Sequence, residues 1–357
     1  MDLLTFRIIG HPAIPDSSWL KAGRGINVLR TGHGARAGSL LRMLQTINPP
    51  YDFEQIHPFA DLPSHTSSQQ YTKKIILSKK TAALAIFAAS PELVAELTAI
   101  DAAFYETDRI EFGRRRDFSQ WINFVELSGS TRWSEIEPTV RLLLSRCKPE
   151  SSAVAAGLQA TMDSLRGIDR IKDERATRLK ELLQALGQGL PENEQPLLDQ
   201  CLLAIDRDRH FRRAKELVAM RLPLFLLISW TGTGGLDWDK PFGAQGNAPL
   251  APADLPPGEK LQAVLAALIR LHEERHGCPP FFLLDFSELK LKRPEQAALL
   301  KTLLGYASRL QCLVAPSGLF LELCTDFSKD AKENAPPLTT FIDVPGEHLI
   351  NEHVPGR

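Results

Sequence analysis

Three stretches of the sequence carry residue types whose spacing could support chemistry. Asp285 directly follows an unbroken apolar run at 281–284. A glycine-rich turn near the start of the chain leads into a stretch with helical apolar periodicity, and a later helical stretch ends in a formal H-E-x-x-H. A carboxylate at the end of a strand and a glycine-rich turn before a helix are typical of a nucleotide site, whereas H-E-x-x-H is typical of a zinc site.

The apolar run before Asp285 predicts a buried strand of a parallel sheet. It follows a Gly-Cys-Pro-Pro break, and strands that are covered on both faces are apolar throughout. Pro294 suits the first turn of a following helix, and 310–315 predicts the next buried strand. Asp285 then lies at the carboxyl end of its strand, the edge at which open α/β sheets bind ligands.

The glycine-rich turn lies between a predicted strand at 25–30 and a predicted helix whose apolar residues begin at Leu40 and Leu41. A phosphate-binding loop needs this context, because backbone N–H groups and a helix N-terminus together attract an anion. Taken alone, the turn is equally well explained as an ordinary strand–helix connection. Its spacing ahead of the Asp285 strand favours a turn derived from a phosphate loop.

Residues 279–318 resemble the Walker B region of ABC-type ATPases of the SMC, RecF and OLD group. In that family an apolar strand ends in Asp-Glu-Pro, and a Glu-x-x-Leu-His-Pro-like loop, a helix and a strand with a switch histidine follow. The residues that match in register are Asp285, Glu288, Leu289, Leu291, Glu295 and Gln296. The family's catalytic glutamate position holds Phe286 here, and its switch histidine position holds Ser317.

The phosphate loop of the same family also aligns, on Leu40 and Leu41. Gly34 is part of this loop, and Ser39 stands one place late for the magnesium-binding hydroxyl, whose own position holds Gly38. Ala37 replaces the phosphate-gripping lysine, and Arg36 replaces the glycine before it.

The family's signature, Leu-Ser-Gly-Gly-Glu/Gln, aligns with 255–259. Leu255, Gly258 and Glu259 match, but prolines at 256 and 257 replace the serine and one glycine. Proline has no N–H to offer a phosphate, so the signature has lost its phosphate contacts as well.

The resemblance implies an α/β fold, an ABC/P-loop-like ATPase head with a mixed sheet, an antiparallel β lobe and an inserted α-helical hairpin. Its reactive residues are missing, so we predict no catalytic residue, no bound cofactor and a pseudo-ATPase. A weak ATPase that uses Arg36 and Asp285 with ATP and Mg²⁺ is the alternative. The predicted degenerate nucleotide site comprises Gly34, Arg36, Ala37, Gly38, Ser39, Gly258, Glu259, Asp285, Phe286 and Ser317.

The H-E-x-x-H at 272–276 is a distant alternative site. His272 and His276 share one helical face and are spaced to bind zinc, with Glu273 as general base. Gly277 ends the predicted helix at once, whereas a zinc protease needs a third ligand downstream. Histidine is also favoured in a last helical turn by the helix dipole. We therefore predict no metal.

Basic residues form a second candidate surface. Arg114, Arg115 and Arg116 follow one another, with Lys73 and Lys74 earlier in the chain. They predict either a solvated loop or a patch that contacts nucleic-acid phosphates.

Long charged stretches at 152–186 and 192–220, separated by Gly-Gln-Gly-Leu-Pro, predict two helices of a hairpin. SMC-like heads carry their coiled-coil arm at this point. The predicted division is therefore an N-terminal lobe at 1–150, a helical hairpin at 151–221 and a C-terminal lobe at 222–357. Strand-like runs are also predicted at 73–90, as a hairpin, and at 318–323.

The composition bears on where the protein is found and whether it is soluble. The net charge is −1, 43% of residues are hydrophobic and the five cysteines are scattered, which together favour a soluble cytoplasmic protein with reduced thiols. No apolar run approaches the ~20 residues that span a bilayer, so no membrane association is expected. By resemblance we predict a scaffold or regulatory subunit of a DNA-associated repair or anti-phage complex. It would act as a homodimer or with an active ATPase or nuclease.

Overall fold

The computed structural model describes residues 1–32, 34–50, 52, 57–59, 79–146, 152–231, 235–238, 255–276, 279–330 and 339–345. Contacts divide the chain into two compact units. The first comprises Met1–Ser90, Arg109–Ile122 and Met220–Arg357. The second comprises Pro91–Asp108 and Asn123–Ala219, so it contains most of the predicted hairpin segment and part of the predicted N-terminal lobe.

The strands of the described residues are, in chain order, β1 (Asp2–His11), β2 (Ile14–Asp16), β3 (Leu20–Lys21), β4 (Ile26–Arg30), β5 (Thr81–Ala88), β6 (Arg109–Arg115), β7 (Gln120–Phe124), β8 (Phe225–Thr231), β9 (Gly235–Trp238), β10 (Phe281–Asp285), β11 (Cys312–Ala315) and β12 (Thr339–Asp343). The α-helices are α1 (Gly34–Gln45), α2 (Pro91–Thr98), α3 (Trp133–Ser145), α4 (Ser152–Asp163), α5 (Asp173–Gly187), α6 (Gln195–Arg221), α7 (Pro257–His276), α8 (Arg293–Tyr306) and α9 (Gly318–Asp330).

Within the described residues the strands form two six-stranded sheets. One runs β2-β1-β5-β6-β7 with β3 also paired to β1, and its pairs among β1, β2, β3, β5 and β6 are antiparallel. The other runs β12-β4-β11-β10-β8-β9 and is parallel except for β9, which pairs antiparallel with β8. The predicted α/β fold with a mixed sheet and an antiparallel β lobe is confirmed.

The mixed sheet is covered on both faces. Helix α1 contacts β8, β10 and β11 on one face, and it also contacts β1 and β5 of the antiparallel sheet. On the other face, alternate residues of the parallel strands join a buried core with α7, α8 and α9, since successive side chains of a strand point to opposite faces. This double burial explains why β11 and the first four residues of β10 are apolar.

Helices α3, α4, α5 and α6 pack around a separate core in the second unit. The prediction of one continuous helix at 152–186 is wrong, because α4 ends at Asp163 and α5 begins at Asp173. The intervening segment contains Gly167 and forms backbone hydrogen bonds with the start of α3 instead of helical ones. The predicted second helix corresponds to α6.

Residues 318–323 form the start of α9, so the predicted strand there is wrong. The Oγ atom of Ser317 accepts a hydrogen bond from the N–H of Phe320 at 3.3 Å, which is a helix-capping contact. Phe320 and Cys324, four residues apart, are both buried, so the apolar periodicity is helical. For the predicted hairpin at 73–90, the second limb is β5 and the residues 73–78 lie outside the described part of the chain.

The cysteines Cys201, Cys312 and Cys324 are buried free thiols. Burial raises the pKa of Cys201 to about 11 and the pKa values of Cys312 and Cys324 to about 12 each. Every helix within the described ranges is too short or too polar to span a bilayer.

Arg114 connects β6 to the end of α1 through its guanidinium group. The residue is buried, with 6% of its surface exposed. It donates to the carbonyl oxygens of Thr46 at 2.8 Å, Ile47 at 2.7 Å and Phe118 at 2.6 Å. Thr46 and Ile47 directly follow α1, so the positive charge also lies at the negative end of the helix dipole. Phe118 adopts a left-handed backbone with φ of 64°.

We expect Arg114→Met to lower the free energy of unfolding by about 3 kcal/mol, because it leaves buried carbonyl oxygens without a donor. Urea denaturation followed by circular dichroism measures the change. Arg42→Met is the matched control, since Arg42 is exposed on α1, and its effect should stay within about 0.5 kcal/mol. Equal effects of the two substitutions would contradict a structural role for Arg114.

Candidate functional site

The connection between β4 and α1 is short. β4 ends at Arg30 and α1 begins at Gly34, so three residues join them. In a phosphate loop, the glycines and the residues between them form an extended turn that wraps around the phosphates. Here Gly34, Arg36 and Ala37 lie within the helix. The helix N-terminus is present, but the wrapping turn before it is not formed by these residues.

Gly38 lies against the carboxylate of Asp285. A Cβ atom placed on Gly38 would be 2.7 Å from Oδ2 of Asp285 and 3.5 Å from its Cγ. Any larger residue would force the carboxylate away, since Cβ atoms do not approach other heavy atoms so closely. Asp285 therefore occupies the space next to α1 at the position where the resembled family carries its magnesium-binding hydroxyl.

Asp285 is the last residue of β10, as predicted, and lies in register with Ser229 and Ala315 of the neighbouring parallel strands. Its Oδ1 atom accepts hydrogen bonds from Ser287, from the backbone N–H at 3.2 Å and from Oγ at 2.6 Å. One carboxylate oxygen is thus held by the turn after the strand, and the other faces Gly38. Protein groups alone fix the orientation of this carboxylate.

Phe286 points away from this edge and into the core. Its side chain is 0% exposed, and its ring centroid lies 5.3 Å from that of Phe320 and 6.5 Å from that of Trp230. Its N–H donates to the carbonyl oxygen of Ala315 at 2.8 Å. The position directly after Asp285 therefore serves packing between the mixed sheet and its helices.

Ser317 also has a structural contact beyond its helix cap. Its Oγ donates to Oε1 of Gln296 at 3.2 Å, and Nε2 of Gln296 donates to the carbonyl oxygen of Leu291 at 2.7 Å. Gln296 is almost fully buried. These bonds link the loop before α8 to the start of α9, so Ser317 positions two helices of the first unit.

Gly258 lies in the first turn of α7 and packs against α8. A Cβ atom on Gly258 would lie 3.1 Å from Cβ of Ala298, and Oγ1 of Thr302 donates to the Gly258 carbonyl oxygen at 3.3 Å. The absence of a side chain thus permits close packing of the two helices. Glu259, the next residue, is exposed. The signature-like residues are therefore divided between a helix contact and the surface.

Of the predicted nucleotide-site residues, Gly38 and Asp285 lie in direct contact with each other. Arg36 and Ser39 are half-buried and each interacts with other residues, while Ala37 is 2% exposed. One pair at the same edge escaped the sequence analysis: Nη2 of Arg30 lies 2.8 Å from Oδ2 of Asp343. Both residues end a parallel strand, which is the signal that could have identified them.

The H-E-x-x-H segment forms the end of α7. His272 is buried at 4% exposure and Glu273 is exposed, whereas the side chain of His276 lies outside the described residues. Among the residues that the structure describes, no group of three histidine, cysteine, aspartate or glutamate side chains is placed to hold a metal ion.

The predicted basic patch is partly internal. Arg114 is buried, so its guanidinium is not exposed for a phosphate contact. Nη1 of Arg115 donates to Oγ of Ser119 at 3.2 Å, and Nη2 of Arg116 donates to the carbonyl oxygen of Gly10 at 2.8 Å. Burial lowers the pKa of Arg116. Lys73 and Lys74 lie outside the described residues.

The contact between Gly38 and Asp285 can be measured by a double-mutant cycle. Alanine favours a helix over glycine by about 1 kcal/mol, but Gly38→Ala must displace the carboxylate, so we expect a net loss of about 1 kcal/mol in unfolding free energy. In an Asp285→Ala background the same substitution should become stabilising. Denaturant unfolding of the four proteins gives the coupling energy.

Gly305→Ala provides the matched control for this cycle. Gly305 lies in α8, and a Cβ atom there would have nothing within 4 Å. Gly305→Ala should change the unfolding free energy by the same amount in the Asp285 and Asp285→Ala proteins. A coupling energy near zero between Gly38 and Asp285 would contradict the contact.

Phe286→Glu places a glutamate where the resembled family has its catalytic residue. We expect it to lower the unfolding free energy by more than about 4 kcal/mol or to prevent folding, because an unpaired carboxylate would be buried. Phe286→Leu, which keeps the site apolar, should cost about 1–2 kcal/mol. Urea midpoints of the two variants test this, and similar midpoints would mean that position 286 is open to water.

The sequence matches no protein-family model and no curated protein sequence. Among solved structures, it is similar to the Smc head domain of Pyrococcus furiosus with an extended coiled coil bound to the C-terminal domain of ScpA. The identity is 11%, the alignment covers 90% of this chain and 91% of that chain, and the TM-score is 0.35.

Two further solved structures are similar to this chain. The SMC head domain of Thermotoga maritima is 8% identical over 90% of this chain and 92% of its own, with a TM-score of 0.31. The recombination mediator protein RecF of the RecFOR pathway is 14% identical over 87% and 91%, also with a TM-score of 0.31. These scores are too low to support any inference about chemistry, so the site must be judged on its own geometry.

Proposed function

We propose that this chain is a catalytically inactive homologue of the SMC/RecF/OLD group of ABC-type ATPase heads. In this proposal it acts as a scaffold or regulatory subunit of a DNA-associated complex, in repair or in defence against phage. The observation that carries the proposal is the direct contact between the Asp285 carboxylate and the backbone of α1 at Gly38.

That contact bears on magnesium binding. A magnesium ion lies 2.0–2.1 Å from each of its oxygen ligands and, in P-loop enzymes, takes a hydroxyl from the helix and works with a carboxylate from the neighbouring strand. Gly38 has no hydroxyl to give. The carboxylate that would face the ion instead packs on the helix itself, which supports a framework without a metal–triphosphate site.

The other predicted positions point in the same direction. Phe286 and Gly258 are used for packing, and Ser317 caps a helix, so each has a structural reason to be the residue it is. Ala37 is itself 2% exposed, so its side chain also serves packing. These observations support selection for a stable fold at positions where the resembled enzymes need reactive groups.

The partner is the part of the proposal that rests on resemblance alone. It is a second copy of this chain, or an active ATPase or nuclease that associates with it. The alternative activity, weak ATP hydrolysis with Arg36 as the phosphate-binding cation and Asp285 as the metal ligand, uses the same edge of the sheet.

Mg-ATP binding to the purified full chain tests the proposal. A ligand present at 100 times its Kd stabilises a protein by about 2.7 kcal/mol, which corresponds to a rise in melting temperature of about 3–4 °C for a chain of this length. We expect no such rise with millimolar Mg-ATP, Mg-ADP or a non-hydrolysable analogue in differential scanning fluorimetry.

A rise of that size would reject the inactive head and select the alternative. Asp285→Asn and Arg36→Gln should then abolish the rise and any ATP turnover. Arg42→Gln is the matched control, because Arg42 is an exposed arginine in the last turn of the same helix.

A further inference from the structure

A basic surface in the second unit was not singled out by the sequence. It consists of Arg132, Arg166, Arg170 and Arg175, with the tip residue Ile168 among them. We call these five residues the arginine surface. Ile168 is 76% exposed, so the tip of the segment faces solvent.

Two backbone segments pair to build this surface. Arg132, just before α3, and Arg170, between α4 and α5, form an antiparallel β-bridge. The hydrogen bonds that flank the bridge run from Trp133 N to Asp169 O at 2.8 Å and from Ile171 N to Thr131 O at 2.9 Å. These backbone hydrogen bonds are formed by the residues on either side of Arg132 and Arg170 and not by the two arginines themselves. Arg132 and Arg170 are therefore a non-hydrogen-bonded pair, the type in which opposite side chains come closest.

The paired segments are anchored in the core of the second unit. Trp133 and Ile171, which follow the two paired arginines, are each 1% exposed and belong to the core of the second unit. A third backbone bond, from Ser134 N to Gly167 O at 3.1 Å, extends the pairing towards the tip. The positions of the arginine backbones are therefore set by the folded core.

The two arginines of the bridge lack charge partners. Like charges directly opposite each other in a strand pair are destabilising. In the described ranges, neither Arg132 nor Arg170 has an ion pair or a side-chain hydrogen bond. Arg166 and Arg175 share one carboxylate, Asp169, at 3.7 Å and 3.6 Å.

Nearby acids do not pair with Arg132 or Arg170. Asp173 lies 3.7 Å from Arg212 of α6 and, among the residues described, makes no ion pair with the arginine surface. Glu135 and Glu174 are exposed and form no ion pair with these arginines within the described part of the chain. A bound anion would supply the charge partner that Arg132 and Arg170 lack.

We propose that the arginine surface binds the phosphate backbone of nucleic acid. Guanidinium groups bind phosphates through paired N–H donors, and arginine suits this geometry better than lysine. Two arginines that project from opposite positions of a strand pair can contact the same phosphate or successive ones, which relieves their mutual repulsion. The proposal deepens the DNA-associated part of the proposed function and does not depend on the state of the nucleotide site.

Fluorescence anisotropy with a labelled DNA duplex of about 30 base pairs tests the proposal on the full chain. The variant Arg132→Gln with Arg170→Gln should raise Kd about 10-fold or more at about 100 mM salt. It should also reduce the steepness of log Kd against log salt by about 2, since each arginine that no longer neutralises a phosphate lowers it by about one unit. The matched control, Arg141→Gln with Arg213→Gln, removes the same charge from exposed positions on α3 and α6 and should leave both quantities unchanged.

Melting temperature provides a second readout. Removing one member of a like-charge pair should raise the melting temperature of Arg132→Gln at low salt, and high salt should cancel the rise. A lower melting temperature would contradict the like-charge pair on which the proposal rests.

Three binding results would overturn the proposal: no duplex binding by the unmodified chain, equal effects of the test and control variants, or binding of polyglutamate but not of duplex. The last result would assign the surface to an acidic protein. None of these results alters the outcome with Mg-ATP, so failure here is distinct from failure of the inactive-head proposal.

Discussion

The first unit depends on the burial of its parallel strands on both faces. Residues such as Leu283 and Leu284 point to opposite sides of the sheet, and both are fully buried. This requires α1 on one side and α7, α8 and α9 on the other, because an uncovered face of these strands would expose a continuous apolar surface. The position of α1 over β10 then places its backbone against Asp285.

This close packing explains the character of the candidate site. Gly38 allows the helix to approach the carboxylate, and Gly258 allows α7 to approach α8. In both cases a missing side chain permits contact between elements of the framework. The same glycines occupy positions at which the resembled enzymes bind nucleotide. The proposal of an inactive framework rests on this structural use of the two positions.

Local patterns predicted much of the first unit. The apolar run ending at Asp285 and the proline at 294 identified β10 and α8, because burial and helix initiation leave direct marks on the sequence. Contacts between residues that are far apart in the chain could not be predicted from such local patterns. The Arg114 guanidinium meets carbonyl oxygens at Thr46 and Ile47, far away in the chain, so three successive arginines gave no sign that the first is buried.

The second unit shows the same limit. Helix-forming composition at 152–186 favoured one long helix, since propensity is a local property. The break between α4 and α5 arises from pairing with residues before α3, which only the tertiary structure brings near. The same pairing sets Arg132 opposite Arg170, so neither the break nor the arginine surface could be found from periodicity or charge counts.

The buried cysteines have a practical consequence. The thiolate is the reactive form, and burial keeps Cys201, Cys312 and Cys324 protonated and shielded from reagents. Cys201 belongs to one compact unit, whereas Cys312 and Cys324 belong to the other. The alkylation rate of each cysteine therefore measures how often its unit opens, with no label added to the chain.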